Sequence, residues 1–550
     1  MRGPWTRALA TAGVAALLLG IAACGEDGNG NGGDAGGAVV DPTEAGDPVY
    51  GGEITVGLEA ETNSWLPSEG TFNQPGLTIA HAIYDPLMQR AEDGSVEPYL
   101  AESLEPNDDL TEWTLTLREG VLFHDGTPLD AEALKTVFDT YLKAPGSRLE
   151  ASLAEVESMD VVDDLTVRYN LAETNASFPD ALITAAGWPF SPTAAAAAGP
   201  DAGANPVGTG PFKFVEWQRD SRLVVEKNED YWQEDLPYLD KITFRPIPDE
   251  DTRLASLQSG DIDVMQSLRQ STIIRARELD RVSNYENLGS NAGATTLNTS
   301  RPPFDDVRVR RALAHALDQE ALIEVLGGGG VTPPQTQFYS EDSPYWSEEL
   351  AEAYPSYDPD KAQEYYDEYI NDPERSDGQP VGTDLAFSFQ CPPDPSLNEL
   401  SQIIQSFWGE LGAEVELQQL EQAAWIQKML ARDYEAGCTR VGSDGDPYLT
   451  FDNAFTEGPL NMSAFQDPRI DAQLDVLKTT TDIDDRKAAV EAIGMVLAEE
   501  AIHTYAGGTL TVLAAREEVK NIDGWVFPDG TKGQGAANAD TMWAHVWVTD

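Results

Sequence analysis

A chain of 550 residues with 41% hydrophobic composition has material for more than one core, so it divides into two or three domains or lobes and is not a disordered protein. With 95 acidic residues against 35 basic ones the formal charge is −60, a surface that repels phosphate backbones and anionic headgroups. Nucleic-acid binding and a purely electrostatic membrane association are thereby argued against, and the acidity reads as solvated surface.

The first element is an export signal. Arg2 and Arg7 form a positive n-region before the apolar run from Ala8 to Ala23, which is too short to span a bilayer comfortably. Ile21-Ala22-Ala23-Cys24 resembles a bacterial lipobox, which implies cleavage after residue 23 and a diacylglycerol on the thiol of Cys24; the alternative is an ordinary secretory signal with an incidental cysteine. Loss of Arg2 and Arg7 takes the formal charge to −62. The Gly-, Asp- and Asn-rich stretch that follows, residues 24–49, has little to bury and reads as a flexible tether.

Between Gly52 and Asp240, strand-like runs alternate with turn signals, as in Glu53–Gly57 and Trp113–Leu117, and period two dominates. At Asp305 or Asp306 a capping residue opens an amphipathic helix through Val309, Ala312, Leu313, Ala316 and Leu317, and a helical lobe begins near there. Residues 385–390 read as a strand, and Leu400, Ile403, Ile404, Phe407, Trp408 and Leu411 follow at helical spacing until Gly412 stops the helix. A strand at 413–417, a helix at 423–431 and a strand at 434–441 complete a β-α-β-α-β run, the pattern of a parallel sheet with right-handed crossovers. Ligands in such sheets sit beyond the carboxyl ends of strands, which selects the loop from Gly442 to Tyr448. A last amphipathic segment runs from Asp484 to Ala501, and Trp525, Trp543 and Trp547 mark the tail.

Catalytic motifs are missing: the chain has no GxSxG, HExxH, Walker-type or SxxK pattern, and 95 acids make carboxylate pairs uninformative. Gly208-Thr209-Gly210 runs into Pro211-Phe212 and reads as a tight turn, not a phosphate loop. His81, His124, His315, His503 and His545 are scattered, so no metal site and no cofactor are expected. Once Cys24 is lipidated, Cys391 and Cys438 remain in an oxidising compartment; a disulfide between them is expected, against two reduced thiols or distant positions.

Tyr84-Asp85-Pro86-Leu87, Pro98–Ser103 and Leu117–Pro128 resemble the opening of the family 5 extracellular solute-binding proteins, the peptide, dipeptide and nickel receptors of ABC importers. The resemblance continues, in family order, through Pro206–Phe212, Lys227–Trp232, Tyr238–Ile242, Arg253–Asp261, Asn298, Pro303–Arg310, Asn461, Pro468 and Asp471. It implies an α/β, two-lobed periplasmic-binding-protein-like (type II) fold with an additional domain inserted in the first lobe. Carried onto this chain, lobe I takes residues 50–78, 200–297 and 500–550, the insertion 79–199, and lobe II 298–499.

The resemblance further implies a lipid-anchored, monomeric receptor on the extracytoplasmic face of the cell membrane. It would bind a small solute by hinge closure and hand it unchanged to a permease with ATPase subunits. Peptide-binding members hold the α-ammonium with an aspartate whose counterpart is Asp444, within Gly442-Ser443-Asp444, and Trp425 matches a pocket aromatic; a loop role and a core role are the respective alternatives. Asn461 and Phe72-Asn73-Gln74 are further candidates. Where many members carry Gly-Trp this chain has Arg440-Val441, and Arg440 would meet a ligand carboxylate or a neighbouring acid. Cys438 stands where some oligopeptide binders place an arginine, so their mode of holding a peptide carboxyl end is not implied here; peptides are nevertheless the expected solute, with an oligosaccharide or nickel chelate as alternatives and an exported hydrolase as the rival class.

Overall fold

The computed structural model describes residues 46–70, 72–142, 153, 155–326, 332–392, 395–441, 445–458 and 460–549. The export signal, Cys24 and residues 24–45 of the expected tether lie outside that range, as do Gly442, Ser443 and Asp444.

Among the described residues, sixteen strands build the two main sheets and one hairpin, and a short pair, Val519–Lys520 with Trp547–Val548, lies apart from them. β1 (Glu53–Leu58) is followed by the hairpin β2 (Met88–Arg90) and β3 (Val96–Pro98). An antiparallel four-stranded sheet comes next, made of β4 (Ala101–Pro106), β5 (Glu112–Leu117), β6 (Val156–Val161) and β7 (Thr166–Leu171) in the order β4-β5-β7-β6. This is the extra sheet that the resemblance implies for the insertion. β5 shows why it forms: Trp113, Leu115 and Leu117 alternate inward while Thr114 and Thr116 between them stay half-buried.

The remaining strands are β8 (Phe212–Gln218), β9 (Arg222–Lys227), β10 (Lys241–Pro246), β11 (Val264–Ser267), β12 (Val282–Leu297), β13 (Ala386–Cys391), β14 (Glu414–Gln419), β15 (Ala436–Val441) and β16 (His503–Arg516). With β1 they form one ten-stranded sheet in the order β14-β13-β15-β12-β16-β11-β1-β10-β9-β8. At one end β1 lies parallel to β10 and β11; at the other β13 lies parallel to β14 and β15. The two long central strands join these ends. β16 pairs with β11 through Val512–Ala515, β12 pairs with β15 through Ala292–Leu297, and β12 and β16 pair with each other antiparallel, with register shifts between Gly289 and Ala292 and between Gly293 and Ala294. Register shifts of this kind are where a strand bends and twists locally.

The apolar cores follow that division. One gathers Ile54, Val56, Trp65, Leu115, Phe178, Trp188 and Trp543; a second gathers Leu297, Phe304, Leu313, Tyr366, Phe387, Phe389 and Trp408; a third gathers Phe338, Tyr448, Phe451, Ile470, Leu477 and Ile493. The third is built by the helices Pro447–Phe455, Pro468–Thr479 and Ile483–Glu500.

The β-α-β-α-β run expected over 385–441 is present, with its helices at Pro395–Glu410 and Gln422–Leu430 and Gly412 at φ +100°. Asp306 caps the helix Val307–His315 by accepting from the Arg308 amide, and Ile483–Glu500 matches the last amphipathic segment. Between Gly52 and Asp240, where period two was expected to dominate, helices also intervene at Gln74–Ile83 and Ala131–Tyr141. Gln74–Ile83 is buried on nearly every side, which erases a helical stripe from its sequence. Gly208 and Gly210 serve close packing: a Cβ on either would fall within 2.5 Å of the Ile83 backbone, and the His124 ring hydrogen-bonds the Gly210 carbonyl at 2.9 Å.

Candidate functional site

A cavity of about 1060 Å³ lies against the β12–β16 ribbon. Its wall combines Arg90 and Asp180, Asn284 to Leu288 of β12, the 338–345 segment, the helix Pro447–Phe455 with Leu460 to Ser463, and the tail around Trp525 and Lys532. Residues belonging to different cores therefore face one space.

Several ion pairs stand at this wall. Arg90 is bonded to Asp180, and Arg486 to Asp446, which caps Pro447–Phe455 by accepting from the Leu449 amide at 3.2 Å. Burial, with the Asp180 carboxylate nearby, pushes the Asp446 carboxyl up, and Arg486 opposes the shift. On β12, Glu286 accepts a bidentate pair from one guanidinium edge of Arg277, Nε at 2.7 Å and Nη2 at 2.5 Å. Asp342 accepts from the Leu288 amide at 2.6 Å, tying the 338–345 segment to that strand.

Buried polar atoms here without a hydrogen-bond partner among the described residues include one on Asn284 and one on His503. Asn284 donates from Nδ2 to the Ala276 carbonyl at 3.5 Å but its Oδ1 is unmatched, and Nδ1 of His503 is unmatched between the rings of Phe338, Phe455 and Tyr505. Burial drives the His503 imidazole down to about 3, so it is a neutral group at neutral pH. Such atoms are costly to leave without a hydrogen bond.

The sequence-derived candidates fall in several places. Asp446, Gly445 and Thr439 flank the loop carrying Gly442, Ser443 and Asp444, and all three flanking residues line the cavity. Arg440 lies in β15, its backbone opposite Gly293 of β12. Trp425 is buried, donates from its indole to the Cys438 carbonyl at 3.1 Å and packs on Tyr434, in a small cluster with Met429. Asn461 is buried and spans its own turn, donating to the Thr456 and Phe465 carbonyls and accepting from Ser463, while its neighbours Leu460 and Met462 reach the cavity. Phe72 packs against Trp188, Asn73 caps Gln74–Ile83, and Gln74 accepts from Thr78. The cavity lining does not include Trp425, Asn461, Phe72, Asn73 or Gln74.

Cys391 and Cys438 are joined by a disulfide, with Cα atoms 5.0 Å apart, linking β13 to β15 one residue before Thr439. Arg90, Asn284, Arg486 and His503 escaped the sequence reading. Only Asp446, an aspartate before Pro447, carried a local signal, that of a helix cap.

A mixed α/β protein with a solute-sized cavity against its long central strands falls in the class of cleft-type binding proteins. Residues 95–461 match the family described as bacterial extracellular solute-binding proteins, family 5 Middle, and the chain belongs to that family, as its motifs implied. Membership agrees with the expectation of a solute receptor and not an enzyme. The glutathione-binding protein GsiB of Salmonella paratyphi A is 32% identical over 321 residues, 56% of this chain and 60% of that protein. The chain thus spans about three fifths of the length of the curated relatives it matches. Among solved structures, DppA from Helicobacter pylori in complex with the peptide STSA superimposes with a TM-score of 0.70 at 21% identity, over 91% of this chain and 99% of that one. NikA from Brucella suis in complex with Fe(III)-EDTA gives 0.75 at 23%, over 90% and 100%. The periplasmic-binding-protein fold is shared with both.

Proposed function

We propose that this chain is the extracytoplasmic receptor of an ABC importer, capturing a peptide in the cleft between two lobes and passing it intact to the permease. The observation that carries the reading is the cavity of about 1060 Å³, at the upper end of the volumes small-ligand sites use and set against the bulged β12–β16 joint. Closing about that joint brings both walls onto a solute, so a solute that contacts both favours the closed form. The lobes in this proposal are 50–78 with 200–297 and 500–550, and 298–499, with 79–199 inserted in the first; the separate apolar cores support that division.

Peptide is favoured because GsiB binds glutathione, itself a tripeptide, and the H. pylori protein is held with STSA, whereas NikA is held with a metal chelate. Asp444, Ser443 and Gly442 would receive the ammonium, next to the cavity-lining Gly445 and Asp446, with Arg440 beside them on β15. Trp425 and Asn461 would act by holding β15 and the 456–465 turn in place, and Phe72, Asn73 and Gln74 by shaping the first lobe. A lipid on Cys24 and the tether would keep a monomeric receptor near its permease, raising their effective concentration. Calorimetric titration with di- to pentapeptides tests the solute class. Saturable binding that Asp444→Ala weakens at least tenfold supports it, and flat titrations at every length discard peptide.

A further inference from the structure

Lys478 is not among the residues that line the cavity and sits at the meeting of two cores. Its ammonium bonds Glu173 at 2.5 Å, its carbonyl accepts from the Ala176 amide at 2.9 Å, and it lies 5.7 Å from the Tyr448 ring centre. Glu173 and Ala176 belong to the segment after β7, and Asn175 in that segment donates to Glu155 at 2.6 Å, just before β6. Tyr448 and Asp452 belong to the helix Pro447–Phe455, on the third core. Burial raises both the Glu155 and the Asp452 carboxyls, each is raised further by Glu173, and Lys478 pulls both back. One cation therefore serves three carboxylates, two from the sheet of β4 to β7 and one from the helical side. Eight residues on, Arg486 repeats the arrangement: it bonds Asp446 on its own side and reaches the Ser177 hydroxyl across the junction at 3.3 Å.

We infer that Lys478 is a positioning residue for solute capture: it holds the inserted sheet against the second lobe and so sets the open–closed balance without touching the solute. The inference rests on the hinge-closing reading above and is independent of which solute is bound. Three carboxylates facing one another without a cation repel at short range, and in so acidic a chain few neighbouring cations can replace the one lost. In Lys478→Gln the repulsion acts across the junction and favours opening; Lys478→Glu adds a fourth carboxylate, and Lys478→Arg keeps the charge. Because the pair is partly exposed, the effect fades as salt rises.

The test is small-angle scattering on the purified full chain and its variants at low and high salt, with near-ultraviolet circular dichroism reporting that each is folded. At low salt the radius of gyration and maximum dimension should increase from wild type to Lys478→Gln to Lys478→Glu. Lys478→Arg and the exchanged pair Glu173→Lys with Lys478→Glu should return toward wild type, an outcome a merely structural loss would not give. Folded Lys478→Gln and Lys478→Glu proteins whose profiles superimpose on wild type overturn the inference. So does failure of Lys478→Arg to match wild type. If Lys478→Glu loses its folded signal, the Lys478→Gln comparison decides alone. Failed peptide titrations would remove the peptide assignment and leave these profiles unchanged.

Discussion

Reducing the Cys391–Cys438 disulfide should destabilise the lobe that contains it by up to about 4 kcal/mol. The bond spans 47 residues and closes the loop holding the helices Pro395–Glu410 and Gln422–Leu430 and the strand β14. Chain-entropy closure of a loop that long removes roughly 14 cal/mol/K from the unfolded chain, which is about 4 kcal/mol at room temperature. Little is lost on the native side, because both cysteines are buried and a thiol or alanine there remains in apolar surroundings. Trp408 and Trp425 lie inside the loop and are buried, so their fluorescence reports this unfolding step. Urea titrations of the oxidised protein and of the double variant Cys391→Ala with Cys438→Ala are the assay. With a slope of about 2 kcal/mol/M the midpoint falls by about 2 M. Coincident midpoints would refute the argument, since they would mean that the sheet already restrains the loop in the unfolded ensemble or that the bond does not form.

His503→Phe should flatten the acid limb of the stability profile. Folded His503 is held down near 3 and an unfolded histidine titrates near 6.5, so the unfolded chain binds the extra proton between those values. Its contribution is complete above about pH 6.5 and is lost by about 1.4 kcal/mol for each unit of acidification below it. Phenylalanine fits the ring-lined site, and melting temperatures from pH 7 to 4 should fall less steeply in the variant; parallel curves would contradict this. Gly437→Ala should cost about 1–3 kcal/mol, because a Cβ there lands 2.0 Å from Trp425 Cη2 and must displace the indole from its bond to Cys438. A thermal melt with unchanged midpoint and tryptophan emission would show that the ring moves freely.

What the sequence disclosed depended on local signals. The run from β13 to β15 was legible, its strands to within two residues, because its helices carry apolar stripes, its strands are short and Gly412 punctuates it, although its first helix starts at Pro395, ahead of the stripe that opens at Leu400. The β12–β16 ribbon was not. β16 is buried on both faces, so period two vanishes, and β12 is written largely in Asn, Ser, Gly and Glu. The loop after β15 could be selected from strand order alone, and Asp446 and Gly445 in it do line the cavity. Arg90, Lys478 and Arg486 could not be selected, because their carboxylates are tens to hundreds of residues away and acids are everywhere in this chain.

Capture by hinge closure is tested most directly by asking what the protein carries. Protein purified from a native-like host is denatured, its small molecules are identified by mass spectrometry, and each is returned to emptied, refolded protein while scattering is recorded. A solute that comes back with its mass unchanged and shrinks the maximum dimension is the predicted result. A solute that emerges cleaved, or a profile indifferent to every compound recovered, would contradict capture by hinge closure.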